Sequence, residues 1–180
     1  MSLVPFLLVA MYRQHQLQRR AFIGTSNTGS IVYGFDLGEK VWLKRRFKDY
    51  DIKGEDISEL KLRLDIIPTS IAIAQAAKES GWGTSRFALE GNAMYGQWTW
   101  GGDGIEPSQK DKKKEHKILK FPKLQSSVSA YMKNLNTHRG YSEFRKERSK
   151  IREKNKTDEG IDLVKYLLSL IHIYEHTRPY

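Results

Sequence analysis

The sequence predicts a mainly α chain that carries one small β-hairpin. Apolar residues recur at helical spacing in one segment after another between Asp36 and Leu170. Two short stretches read as strands, Tyr95–Trp100 and Ile118–Phe121. Between them lies GGDGIEPSQKDKKKEHK, Gly-rich and then highly charged, the composition of a long, mobile hairpin connection.

In chain order, Ser2 to Phe22 reads as a helix with Pro5 in its first turn. Its apolar run, Leu3–Met11, is about half of the ~20 residues that a membrane span requires, so no span is expected. The run has the length of a signal-peptide core. No basic residue precedes it, however, and a polar helical half follows, so no signal peptide is evident and it reads as a packing helix. A chain opening on such a helix reads as the interior of a longer reading frame. Gly24–Ser30, GTSNTGS, is a loop by composition. Residues 1–35 thus form an N-terminal helix and flexible loop. Asp36–Phe47 is expected to be helical, with Leu37, Val41, Leu43 and Phe47 apolar. Gly54 and Asp56 introduce a further helix through Leu64, with Ile57, Leu60 and Leu64 on one face.

Asp65–Gly83, DIIPTSIAIAQAAKESGWG, is the stretch around which the rest is organised. Pro68 precedes a helix that Thr69 or Ser70 can cap, and Gly81 is placed as its stop. From Ile71 to Ala77 the one polar side chain is Gln75, which predicts a buried helix. Glu79 falls in its last turn. There the helix dipole and scarce water would both favour the protonated acid, the form a glycosidase uses as general acid. A solvated Glu on an exposed last turn is the other reading of the same pattern.

Downstream, Thr84–Leu89 reads as a short helix. Ser126–Asn136 is a helix with Val128, Tyr131, Met132 and Leu135 on one face, and Tyr141–Lys154 a very polar one. Gly160–Leu170 carries Ile161, Val164, Leu167 and Leu168 as an apolar helix.

Trp82, Tyr95, Trp98 and Trp100 crowd the region after Glu79, with glycines between them. Aromatic faces beside an acid suit stacking on sugar rings; core packing is the alternative. IIPTSIAIAQAAKESGWGTSRFALEGNAMYGQWTW resembles the core of the Bax-type glucosaminidases of glycoside hydrolase family 73, and the resemblance continues in HKILKFPKLQSSVSAYMKNLNTHRGYSEFR. It covers roughly Asp36 to Leu167. It implies a lysozyme-like helical domain over residues 36–167 with the hairpin as a small lobe. It also implies an endo-β-N-acetylglucosaminidase that cuts the glycan strand of peptidoglycan.

Glu79 matches the family's catalytic acid. The second catalytic group is expected on the hairpin lobe, at Asp103 or, preferably, Glu106. A route through the substrate's own 2-acetamido group needs neither. Tyr131 is expected to support catalysis by orienting water or the acetamide. Trp82, Tyr95, Gln97 and Trp98 would line one wall of the groove. Asn134, His138 and Tyr141 would line the other with Tyr131, and His138 reads as a structural hydrogen-bonding residue before a general base.

Charge and composition narrow the class further. The 180 residues carry a net charge of +10; Lys110–Lys156 holds 16 Lys/Arg against 5 Asp/Glu, and the rest nets −1. A polyanionic partner, such as an anionic wall, or a merely solvated lysine-rich surface fits this pattern. Nucleic acid fits less well, because the aromatics cluster around Glu79 and not among the lysines. The chain has no cysteine and no phosphate loop, so no cofactor and no metal are expected. His172 and His176 are not read as a metal pair. An amidase acting on the peptide stem would need a metal triad that is not evident. A non-catalytic glycan-binding module is opposed by the presence of Glu79. A monomer in the cell envelope is expected. The last stretch, LSLIHIYEHTRPY, resembles the translation of a sequencing-library adaptor, so residues 168–180 read as a non-native tail.

Overall fold

The computed structural model describes residues 37–99, 104–107, 117–154 and 160–167. The expected N-terminal helix, the Gly24–Ser30 loop, Trp100, Asp103 and the tail from Leu168 lie outside the described residues. The chain is mainly α with a three-stranded antiparallel sheet, the make-up of a lysozyme-like fold. The described residues divide into two compact units, 69–132 and 37–68 with 133–167.

In the second unit, α1 (Leu37–Asp49) and α2 (Ile57–Leu64) share a core of Leu43, Phe47, Leu60 and Leu64, edged by Trp42, Tyr50, Ile52 and Ile57. Asp56 starts α2 by accepting a hydrogen bond from the Glu59 N–H at 3.1 Å, which satisfies one of the free donors of the first turn. Val41, one of the apolar residues named for α1, is exposed, and Trp42 packs against the core.

The first unit begins with α3 (Thr69–Ser80) and α4 (Arg86–Gly91). The buried residues of α3 are Ile71, Ala72, Ala76 and Ser80, whereas Ala74 is exposed and Ile73 and Ala77 are half-buried. The expectation of a helix buried all round is therefore corrected. Alanine is apolar but small, so it tolerates a solvent-facing stripe that composition does not reveal. α4 is capped by Ser85, whose Oγ accepts from the Ala88 N–H, so it starts at Arg86, two residues later than predicted.

The expected hairpin is a three-stranded sheet in the order β1–β3–β2, with β1 Trp98–Thr99, β2 Gly104–Ile105 and β3 Lys117–Leu119. Trp98 pairs with Ile118 on one edge of β3, and Ile105 pairs with the same Ile118 on the other. β2 falls inside the segment read as a plain connection. Its two residues are too short for any periodicity. Gly104 is required there: a Cβ would lie 2.6 Å from that of Lys117. Ala93, Ile118 and Phe121 form the core beneath the sheet, with Phe87, Leu119 and Ala130 at its margin.

α5 (Leu124–Thr137) buries Val128, Tyr131, Met132 and Leu135, the face that its spacing predicts. A short 3-10 turn (Arg139–Tyr141) leads to α6 (Ser142–Glu153). Residues 160–167 form a last helix, α7. Its buried pair is Leu163 and Leu167; of the apolar residues named for this helix, Ile161 is 80% exposed and Val164 38%.

Candidate active site

Glu79 sits in the last turn of α3 and is exposed. The burial expected around it is absent, because Lys78 and Glu79 both extend beyond the packed stripe. The turn after it is tightly built. Ser80 Oγ donates to the Ala76 carbonyl at 2.5 Å and accepts from the Gly83 N–H at 2.8 Å. The Trp82 N–H closes onto the Ala77 carbonyl at 2.8 Å. Gly81, Trp82 and Gly83 follow one another at φ +57°, +59° and +78°. Glycine adopts this left-handed region freely, but a bulky side chain there is strained. Trp82 is nevertheless 71% exposed. It lines an open, largely apolar groove of about 620 Å³ with Ser70, Ile73, Ala74, Ala77 and Lys78.

At 100° per residue, that groove and Glu79 occupy different sides of α3. Ala72, Gln75 and Glu79, spaced three and four apart, share the other stripe. The tyrosines meet α3 on this stripe. Tyr95 and Tyr131 stack face to face, with centroids 3.9 Å apart and planes 5° from parallel. The Tyr95 hydroxyl donates to the Ala72 carbonyl at 3.3 Å, and the Tyr131 hydroxyl donates to Gln75 Oε1. Both rings are buried, and burial raises the Tyr95 phenol well above its ordinary range. Tyr95 is thus a packed support and not an open groove wall. The glycines around it hid this, since aromatics among glycines read as surface.

Trp98 is 41% exposed on β1. Gln97 is half-buried; its carbonyl accepts from the Leu119 N–H at 2.7 Å, and its buried Oε1 has no protein partner. Glu106 is exposed just after β2, with Oε1 4.0 Å from Lys117 Nζ, and its carbonyl accepts from the Arg86 guanidinium. Gln75, Tyr95 and Tyr131 are brought together, and Glu79 follows Gln75 by four residues on the same stripe of α3.

The second unit holds Asn134, His138 and Tyr141. Asn134 is exposed at the end of α5. His138 Nδ1 accepts from the Gly140 N–H at 3.2 Å and caps the 3-10 turn, which leaves the proton of the neutral ring on Nε2. This cap is a structural role for His138. Its ring stands edge-on to Tyr141, with centroids 6.0 Å apart.

This unit also contains a buried ionic cluster that the sequence reading did not single out. Asp65 lies between Arg148 (3.1 Å) and Arg152 (2.9 Å). Arg148, fully buried, also donates to Asn136 Oδ1 and the Leu62 carbonyl, and its guanidinium lies over the Phe144 ring. Arg145 donates to the Leu135 and His138 carbonyls; burial, then the charge of Arg63, lowers its pKa. The available signal was the spacing Arg145, Arg148, Arg152 beside Phe144 and Ile151. Among the described residues no group of His, Cys, Asp and Glu could hold a metal ion, and no helix is long and apolar enough to cross a membrane.

Comparison with known proteins bears on this arrangement. Over 91 residues the chain is 44% identical to protein bax of Escherichia coli (strain K12), covering 51% of this chain. The match spans about a third, 32%, of that relative's length. No solved structure matches the chain. Residues 54–177 match the family described as mannosyl-glycoprotein endo-beta-N-acetylglucosaminidase, and the chain therefore belongs to this Glucosaminidase family of glycosidase-type hydrolases.

Proposed function

We propose that the chain is an endo-β-N-acetylglucosaminidase that cleaves the β-1,4 bond after N-acetylglucosamine in the glycan strand of peptidoglycan, outside the cytoplasm. Glu79 is the general acid. The observation that carries this reading is the shared stripe of α3. Tyr131 is hydrogen-bonded to Gln75, one helical turn before Glu79. An acid and a hydroxyl on one helix face can address a single glycosidic bond. Glu79 protonates the leaving oxygen, and Tyr131 orients either water or the acetamide on the ring being cleaved. Because Glu79 is exposed in the free protein, the bound glycan is what excludes water from it. Glu106, or the 2-acetamido group itself, serves as the second group. Trp82, Gln97 and Trp98 are proposed to contact the glycan, with Tyr95 backing Tyr131.

Glu79→Gln tests this reading. The amide keeps the shape and cannot donate the proton, so hydrolysis of purified peptidoglycan should fall at least ~100-fold. Folding should be unaffected, since the side chain is exposed. Mass spectrometry of the products should show N-acetylglucosamine at the new reducing ends. Release of those products by Glu79→Gln at the parent rate would remove the assignment, and products ending in the other sugar would change the bond cleaved.

A further inference from the structure

We infer that Gln75 is a positioning residue for this reaction: it holds the proton of the Tyr131 hydroxyl and so makes the Tyr131 oxygen an acceptor toward the substrate. The inference rests on the reading of Glu79 and Tyr131 given above and adds a residue to it.

Three contacts fix the arrangement. Tyr131 donates to Gln75 Oε1. The Tyr131 ring is clamped by its 3.9 Å stack on Tyr95. Tyr95 in turn is tied to α3 through the Ala72 carbonyl. Ala72 and Gln75 are three residues apart on α3, so the tyrosine pair is anchored at two points about one turn apart. The second anchor, Gln75, lies four residues before Glu79, which is the spacing of side chains that touch along a helix.

The direction of the hydrogen bond gives this geometry its chemical content. A phenol can donate one proton and also accept. A glutamine carbonyl oxygen can only accept. With its proton held by Gln75, Tyr131 acts toward a bound sugar as an acceptor. The groups it then suits are the N–H of a 2-acetamido substituent and the O–H of an attacking water. Accepting from that N–H aims the acetamide oxygen, and accepting from the water aims its lone pair. A helix whose exposed and half-buried residues are otherwise Thr, Ser, Ala, Ile, Lys and Glu has no need of an amide at this place for packing. Leucine at position 75 would keep the helix and cover the ring edge.

The test is a double-mutant cycle between Gln75→Leu and Tyr131→Phe, with Gln75→Glu as the conservative variant that still accepts. The full chain is assayed on soluble glycan strands from purified peptidoglycan, with kcat and KM measured separately. Gln75→Leu should lower kcat ~10-fold, the scale of one hydrogen bond, with KM little changed. In the Tyr131→Phe background the same substitution should have no further effect on kcat. Gln75→Glu should recover most of the loss.

A purely structural Gln75 gives a different pattern: additive losses in the two backgrounds, or a loss that Gln75→Glu does not recover while the thermal midpoint falls. Either result overturns the inference. Full kcat in Tyr131→Phe, with activity abolished in Glu79→Gln, overturns the inference and leaves the general-acid reading standing. Parent activity in Glu79→Gln overturns both.

Discussion

Trp82 is the residue at which local physics and surface position disagree most. A bulky side chain at φ +59° between two left-handed glycines costs about 1–3 kcal/mol of backbone strain, and its 71% exposure means little burial offsets it. On the proposed reading the ring is a platform for the glycan, and the strain is the cost of presenting it there. Trp82→Gly and Trp82→Ala separate the two effects. Both remove the ring, but only glycine relaxes the backbone, so Trp82→Gly should be the more stable by about 1 kcal/mol in thermal or denaturant unfolding. Both should weaken glycan binding equally. If binding to insoluble peptidoglycan is unchanged in both, the ring is no platform. The Gly81–Trp82–Gly83 pattern was visible in the sequence as a helix stop followed by a turn. The left-handed tryptophan was not, because nothing in a residue's identity announces a conformation it disfavours.

At the scale of elements, legibility followed side-chain chemistry. The buried face of α5 was readable because Val128, Tyr131, Met132 and Leu135 are large, apolar and spaced three and four apart. β2 was not readable, since two residues led by Gly104 carry no pattern. α6 is the very polar helix expected, but its buried residues were not readable, for a different reason. Arginine reads as surface, yet Arg145 and Arg148 are buried because carbonyls at Leu135, His138 and Leu62, Asn136 and the Asp65 carboxylate satisfy them. The cluster joins the end of α2 to α6, and its members depend on one another. Removing one partner strands a fully buried guanidinium. Asp65→Ala should therefore cost ~3–5 kcal/mol in urea unfolding, the range for breaking a buried ion pair. An exposed pair on the same helix, Lys146–Glu143, provides the contrast: Glu143→Gln should change stability by less than ~1 kcal/mol. Equal effects at the two sites would show that the buried arginines are solvated or re-paired when Asp65 is lost.

At the scale of the whole molecule the dominant quantity is charge. The net +10 is concentrated between Lys110 and Lys156, while Glu79, Trp82 and Trp98 lie outside that span. A field of one sign acts over the ~10 Å screening length of 0.1 M salt, so it affects capture of a substrate more than the chemistry at the cleaved bond. Two readings of the basic half were open in the sequence, a polyanionic partner or a solvated surface, and kinetics distinguishes them. If the partner is the acidic, peptide-bearing wall glycan, raising salt from ~50 to ~200 mM should raise KM about 3–10-fold with kcat constant. A neutral oligomer of N-acetylglucosamine should show no such slope, because it presents no charge for the lysines to attract. KM values for both substrates that stay flat with salt would mean that the basic half is a solvated surface. The glycan would then be held only by the uncharged and aromatic groups of the groove.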